Sequence, residues 1–148
     1  MRQSIIILIV FISFASCKRQ SQSEMDKQKI EKYVADNNLI GQFTSSGLFY
    51  TIEVEGIGAN PGLNNTVTCE YTGYLLNGNQ FDGTSAGKPI SFPLSQVIKG
   101  WQEGIPKYKK GGKGKLIIPS ELGYGSRGVG TIPPNSVLVF DVYLVDFK

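Results

Sequence analysis

Strand-like and helix-like periods alternate along this chain in a definite order. Ile30, Tyr33 and Val34 recur at i, i+3 and i+4 after Ser23-Glu24-Met25-Asp26, which resembles a capping box, so the spacing predicts a short amphipathic helix. Asn37-Asn38 and Gly41 should close it, since both residue types tolerate the left-handed conformation of helix ends. From Gly47 onward the apolar runs are short and punctuated by turns: Leu48 to Val54, Thr66 to Leu76 and Ile90 to Leu94 read as strands of an antiparallel sheet. Asn77-Gly78 marks a tight reversal, expected as a type I′ turn with both residues at positive φ. Val97, Ile98, Trp101 and Ile105 then return to helical spacing and predict the one helix of the domain. Lys115 to Pro119 reads as a strand. Ser136 to Val145 is apolar on both faces, as a central strand is. The Gly- and Pro-rich loop from Tyr124 to Pro134 lies between them, and loops of that length are often functional.

The N-terminal pattern is of another kind. Arg2 precedes an apolar run from Ile5 to Phe14, broken only by Ser13. The run is shorter than the about 20 residues a bilayer span needs and fits a secretory h-region of roughly 7 to 15. Residues 1–16 therefore read as a cleaved export signal. Ala15-Ser16-Cys17 resembles a bacterial lipobox, with Phe14 where leucine is usual, and makes Cys17 the expected lipidation site and membrane anchor. The protein is then expected outside the cytoplasm, on a bacterial envelope membrane, facing the periplasm or the cell surface. Residues 17–23 read as a flexible tether, 24–43 as a helical extension and 44–148 as the folded domain.

Composition narrows the chemistry. Among 148 residues, 41% are apolar and 18% charged, which suits one globular core, and the 18 glycines fall between apolar runs as turn residues do. There is no histidine, which excludes a Ser-His-Asp triad, a Cys-His pair and the common histidine metal sites. No cofactor or metal is called for. Net charge is only +3, and the cluster Lys107, Lys109, Lys110, Lys113 and Lys115 reads as a solvated loop, so nucleic acid is not an expected partner. Of the two cysteines, Cys69 alternates with Val67 and Tyr71 on one strand face and reads as a buried apolar residue.

Four segments, in order, resemble the FK506-binding (FKBP) family: Glu70-Tyr71-Thr72-Gly73, Phe81-Asp82-Gly83-Thr84, Val97 to Gly104, and Tyr124-Gly125 through Ile132-Pro133-Pro134 to Val142. They span roughly the last hundred residues. The resemblance implies an α+β fold, an antiparallel β half-barrel wrapped around a short α-helix, here with an N-terminal helical extension. It also implies peptidyl-prolyl cis-trans isomerase activity. Trp101 would form the floor beneath a proline ring, with Tyr71, Phe81, Phe92, Val97, Ile98 and Phe140 as walls. Asp82 and Tyr124 would orient the substrate by hydrogen bonds, with the Tyr71 hydroxyl as the expected partner of Asp82 because no arginine follows it, and the backbone around Ile132 would contact the substrate. In catalytic terms the implied residues are Tyr71, Asp82 and Tyr124; the implied binding residues are Phe81, Phe92, Val97, Ile98, Trp101, Ile132 and Phe140. The segment from Gly83 to Gly87 lacks the arginine some members place there, and Ile90 and Thr131 replace bulkier residues.

Such a residue set suffices without a nucleophile. The amide resists rotation because its C–N bond is partly double, with a barrier of about 18–20 kcal/mol. A twisted imide has less charge separation than a planar one, so an apolar, water-excluding pocket favours it; each ~1.36 kcal/mol of preference is worth about tenfold in rate. The implied partners are proline-containing unfolded or partly folded proteins, with macrolide inhibitors as candidate ligands. The competing reading is a peptide-binding or holdase chaperone module that uses the same pocket without turnover.

Overall fold

The computed structural model describes residues 20–148. The export signal, Cys17 and the start of the tether lie outside the described residues. Helix α1 (Gln22–Asp36) starts two residues before the expected place. Ser21 caps it: Ser21 Oγ accepts from the Glu24 N–H at 3.2 Å, and the Glu24 carboxylate accepts from the Ser21 N–H at 3.1 Å. Ser23 cannot be the cap because Asp26, three residues on, is turned inward instead of back. Gln22 and Ser23 are thus helical and not tether. The helix ends where Asn37-Asn38 predicted, with Asn38 at φ 51°, and Leu39 N–H donating to Val34 C=O at 3.0 Å in a Schellman-type closure.

Seven strands form one antiparallel sheet: β1 (Gln42–Phe43), β2 (Phe49–Tyr50), β3 (Thr66–Leu75), β4 (Gln80–Gly83), β5 (Ile90–Pro93), β6 (Lys113–Ile118) and β7 (Leu138–Phe147). The order is β1-β2-β6-β7-β3-β4, with β5 pairing the other end of the same edge of β3. Gln42 and Phe43 pair with Tyr50 and Phe49, so the segment expected to be helical extension ends as an edge strand. β7 is central, between β6 and β3, which explains why it is apolar on both faces. The expected strand from Leu48 to Val54 is regular only at Phe49–Tyr50, although Thr51, Glu53 and Val54 still donate to the backbone of Lys115 and Lys113.

Each face of the sheet carries a helix. On one, α1 buries Ile30 against Phe49, Ile117, Val137 and Val139. On the other, α2 (Lys99–Gly104) and the turn Ile105–Lys107 bury Trp101 and Ile105 among Leu116, Ile118, Leu138, Phe140, Val142 and Leu144. α2 approaches β6 closely because Gly100 and Gly104 face it; a Cβ on Gly104 would lie 2.6 Å from Leu116 Cδ2, and one on Gly100 would run into Ile118.

The Asn77-Gly78 reversal is not the expected type I′ turn. Gly78 has φ 86° but Asn77 does not share the left-handed region. Gly78 N–H donates to Leu75 C=O at 2.8 Å and Leu75 N–H to Asn79 C=O at 2.9 Å, the pattern of a three-residue hairpin loop with glycine in the bulge. The lysine cluster is dispersed by local partners: Lys109 pairs with Glu55 at 2.7 Å, Lys110 with Asp146 at 2.8 Å and Lys115 with Asp141, while Lys113 and Lys107 lie over Tyr143 and Tyr50.

Candidate active site

A cleft of about 310 Å3 opens beside α2, lined by Tyr71, Asp82, Ile90, Phe92, Gln96, Val97, Ile98, Trp101, Tyr124 and Phe140. Its base is an aromatic box. Trp101, 4% exposed, has Tyr71, Phe140 and Phe92 around it at centroid distances of 5.0, 5.3 and 5.5 Å. The Tyr71 and Phe140 rings meet the indole nearly edge-on, at 80° and 89°, which suits the opposed charges of ring face and ring edge. Trp101 reaches the box because the two glycines of α2 set the helix directly on β6.

Phe81 and Asp82 owe their places to a β-bulge. β3 and β4 pair Gly73 with Asp82 but Tyr74 with Gln80, so Phe81 is the extra residue. Its ring meets Phe140 at 5.6 Å and 87°, behind the cleft and not on its lining. The Tyr71 hydroxyl donates to Asp82 Oδ2 at 2.8 Å, and the Gly83 N–H donates to Oδ1 at 2.8 Å. The loop after Asp82 is itself held to β3: Thr84 N–H donates to Tyr71 C=O at 2.9 Å, and Thr84 Oγ1 accepts from Tyr71 N–H at 3.1 Å.

Burial, then the bond to Asp82 and its charge, push the Tyr71 phenol well above its ordinary value. Burial followed by the Asp82 charge does the same to Tyr124. Both hydroxyls therefore keep their protons at neutral pH and are donors. Tyr124 lines the cleft without a hydroxyl partner among the described residues. The Ile98 N–H, at the start of α2, likewise donates to no described residue. Asp82 offers a fixed carboxylate, Tyr124 and Ile98 offer donors, and the floor between them is apolar.

Of the ten residues singled out by sequence, Ile132 and Phe81 are off the lining. Ile132 is 7% exposed and packs into the main core, while its N–H and C=O both pair with Val129. Its N–H is committed within the loop, and Ile132 is not among the residues that line the cleft. Ile90 and Gln96 line the cleft although sequence reasoning gave them no role. Gln102 was also passed over; its amide donates to Val97 C=O at 2.8 Å and fixes the segment that leads into α2.

The sequence profile of the FKBP-type peptidyl-prolyl cis-trans isomerases matches residues 58–145, a span that contains every residue of the cleft. The chain belongs to this family. The FKBP-type isomerase FkpA of Escherichia coli strain K12 is 46% identical over 134 residues, covering 81% of this chain and 50% of that protein. The crystal structure of Escherichia coli FkpA superposes with a TM-score of 0.76 at 43% identity, over 85% of this chain and 61% of that one. The crystal structure of AtFKBP13 superposes with a TM-score of 0.68 at 37% identity, over 74% of this FKBP-type chain and 100% of that one. The chain spans about half the length of the curated relatives it matches.

Proposed function

We propose that this chain is a peptidyl-prolyl cis-trans isomerase acting on X-Pro bonds of unfolded or partly folded proteins. The observation that carries the reading is the aromatic box around Trp101 at the base of an open cleft, inside the span that matches the family. A proline ring set on the indole removes water from one side of its imide. Loss of that water costs the planar, charge-separated ground state more than the twisted transition state, which is differential binding in favour of rotation. Tyr124 and the Ile98 N–H supply donors for the carbonyls next to the ring. Asp82, held by Tyr71 and Gly83, supplies a negative field that does not reorganise as the bond turns. The same apolar cleft suits macrolide inhibitors.

We place the protein outside the cytoplasm, anchored in a bacterial envelope membrane through a lipid on Cys17; the apolar run from Ile5 to Phe14 before Ala15-Ser16-Cys17 supports this. Incorporation of labelled fatty acid that disappears in Cys17→Ser tests it, and equal labelling of both overturns it.

For the activity, exchange NMR on a short X-Pro peptide is the direct test. Acceleration by the folded protein, abolished in a folded Trp101→Leu variant, is the expected result. A folded wild-type protein that leaves the exchange rate unchanged overturns the reading.

A further inference from the structure

α1 packs on the opposite face of the sheet from the cleft, yet one of its side chains reaches the loop that carries Tyr124. Asp26 is fully buried. Its Oδ2 accepts from the Ser120 N–H at 2.9 Å and from the Ser120 hydroxyl at 2.5 Å, 94 residues away in sequence. Its Oδ1 accepts from Gln22 Nε2 at 2.7 Å and lies 3.8 Å from Lys29 Nζ. A carboxylate withdrawn from water is tolerated only when its oxygens are satisfied, so this arrangement holds in one geometry and is lost in others.

Ser120, also fully buried, opens the loop after β6. Its C=O accepts from the Gly123 N–H at 3.0 Å and from the Gly125 N–H at 2.8 Å, the residues on either side of Tyr124. Gly125 C=O in turn accepts from the Asn135 N–H at 2.8 Å, close to where β7 begins. An unbroken hydrogen-bonded path therefore runs from the α1 carboxylate through one serine to the amides of Gly123 and Gly125, the residues before and after the cleft tyrosine.

We propose that Asp26 is a positioning residue for the isomerase site: through Ser120 it fixes where Tyr124 presents its hydroxyl. α1 is then a working part of the site and not only a spacer between domain and membrane. The proposal rests on the reading of the cleft as an isomerase site. It places one determinant of activity outside the matched span of residues 58–145.

The test uses the full chain as wild type, Asp26→Asn, Tyr124→Phe and the double variant, in X-Pro exchange NMR at a temperature where circular dichroism finds all four folded. Asp26→Asn is expected to lower kcat/KM about three- to tenfold in the wild-type background and by less than about 1.5-fold in the Tyr124→Phe background, since two residues acting as one unit do not add. A merely structural role lowers activity equally in both backgrounds and overturns the proposal, as does full activity in folded Asp26→Asn. Should Asp26→Asn fail to fold, Ser120→Ala, which removes only the hydroxyl bond, carries the same comparison. Amide resonances give a readout independent of turnover. Those of Gly123, Tyr124 and Gly125 are expected to move in Asp26→Asn while those of β3 stay; unmoved loop resonances overturn the positioning role. If the wild type itself does not accelerate exchange, the functional reading falls, and the resonances alone decide whether Asp26 sets the loop.

Discussion

Tyr71 and Asp82 form a hydrogen-bonded pair across the β3–β4 bulge, with the phenol donating to Oδ2 at 2.8 Å while the Gly83 N–H occupies Oδ1 at the same distance. Both oxygens of the carboxylate are thus directed, and no arginine is needed in the loop after Gly83. Removal of the phenol leaves Oδ2 free to turn toward water. Tyr71→Phe is expected to lower kcat/KM about tenfold while it changes stability little, because the pair is partly exposed and a net hydrogen bond is worth about 1 kcal/mol. A double-mutant cycle with Asp82→Asn should return a coupling of about that size for the pair. Additive losses would mean that the two side chains act independently.

Gly73 is where the cleft leaves no room. A Cβ there would lie 2.7 Å from Phe140 Cε1 and 2.8 Å from Phe81 Cε2, inside the contact that carbon atoms tolerate. Both rings support the wall behind Trp101, so they must move or β3 and β4 must part. Gly73→Ala is expected to cost about 1–3 kcal/mol in chemical denaturation, as overpacking does, and to reduce isomerase activity by more than that loss of folded protein explains. An active variant of wild-type stability would show that Phe81 does not matter to the site.

Trp101 is the sole tryptophan of the chain, so its fluorescence reports the cleft floor alone. At 4% exposure it should already emit as a largely buried indole. A proline-containing peptide seated on it removes the remaining water, and saturable quenching or a small blue shift is expected. The same titration with a proline-free peptide should leave the spectrum unchanged. An identical response to both would place the binding energy outside the proline pocket.

Period-based reading reached the long elements and failed where a short-range signal had two solutions or none. β3 and β5 were legible because their apolar positions alternate, β7 because it is apolar on both faces, and α2 from the helical spacing of Val97, Ile98, Trp101 and Ile105, of which only Trp101 lies inside the helix while Val97 and Ile98 are extended before it. Asn77-Gly78 says that the chain turns, but Gly78 alone at positive φ satisfies it, so the turn type was not in the dipeptide. Ser21 and Ser23 both precede the apolar stripe of the helix; what selects Ser21 as the cap is that Glu24 reaches back, while Asp26 is drawn inward by Ser120. That partner is distant in sequence and leaves no local trace. At the site, Trp101, Tyr71, Asp82 and Phe140 were named from the family resemblance and do line the cleft. Ile132 came from the same resemblance but packs inward; Ile90 was read only as a strand position and a departure from the family pattern, and Gln96 has neither periodicity nor a motif to betray it.

Cys69 sets a testable alkaline limit. It is fully buried on β3, and burial pushes its thiol from 9.0 up to about 12. Between those values the unfolded chain releases a proton that the native state keeps. Stability from this group is therefore complete below pH 9 and falls as pH rises toward 12, by about 1.4 kcal/mol per unit while only the unfolded thiol ionises. Tyr71, Tyr74 and Tyr108, each raised above 10.0 chiefly by burial, act in the same direction at higher pH. In a Cys17→Ser chain, urea midpoints are expected to hold from pH 7 to 8.5 and then fall by pH 10, more steeply than in a Cys17→Ser/Cys69→Ala chain. A thiol reagent should label native Cys69 only as fast as the protein opens. Rapid labelling at pH 7.5, or parallel stability profiles for the two chains, would show that the thiol reaches water in the native state and that β3 is looser than its packing requires at Thr68–Cys69, where its register with β7 shifts.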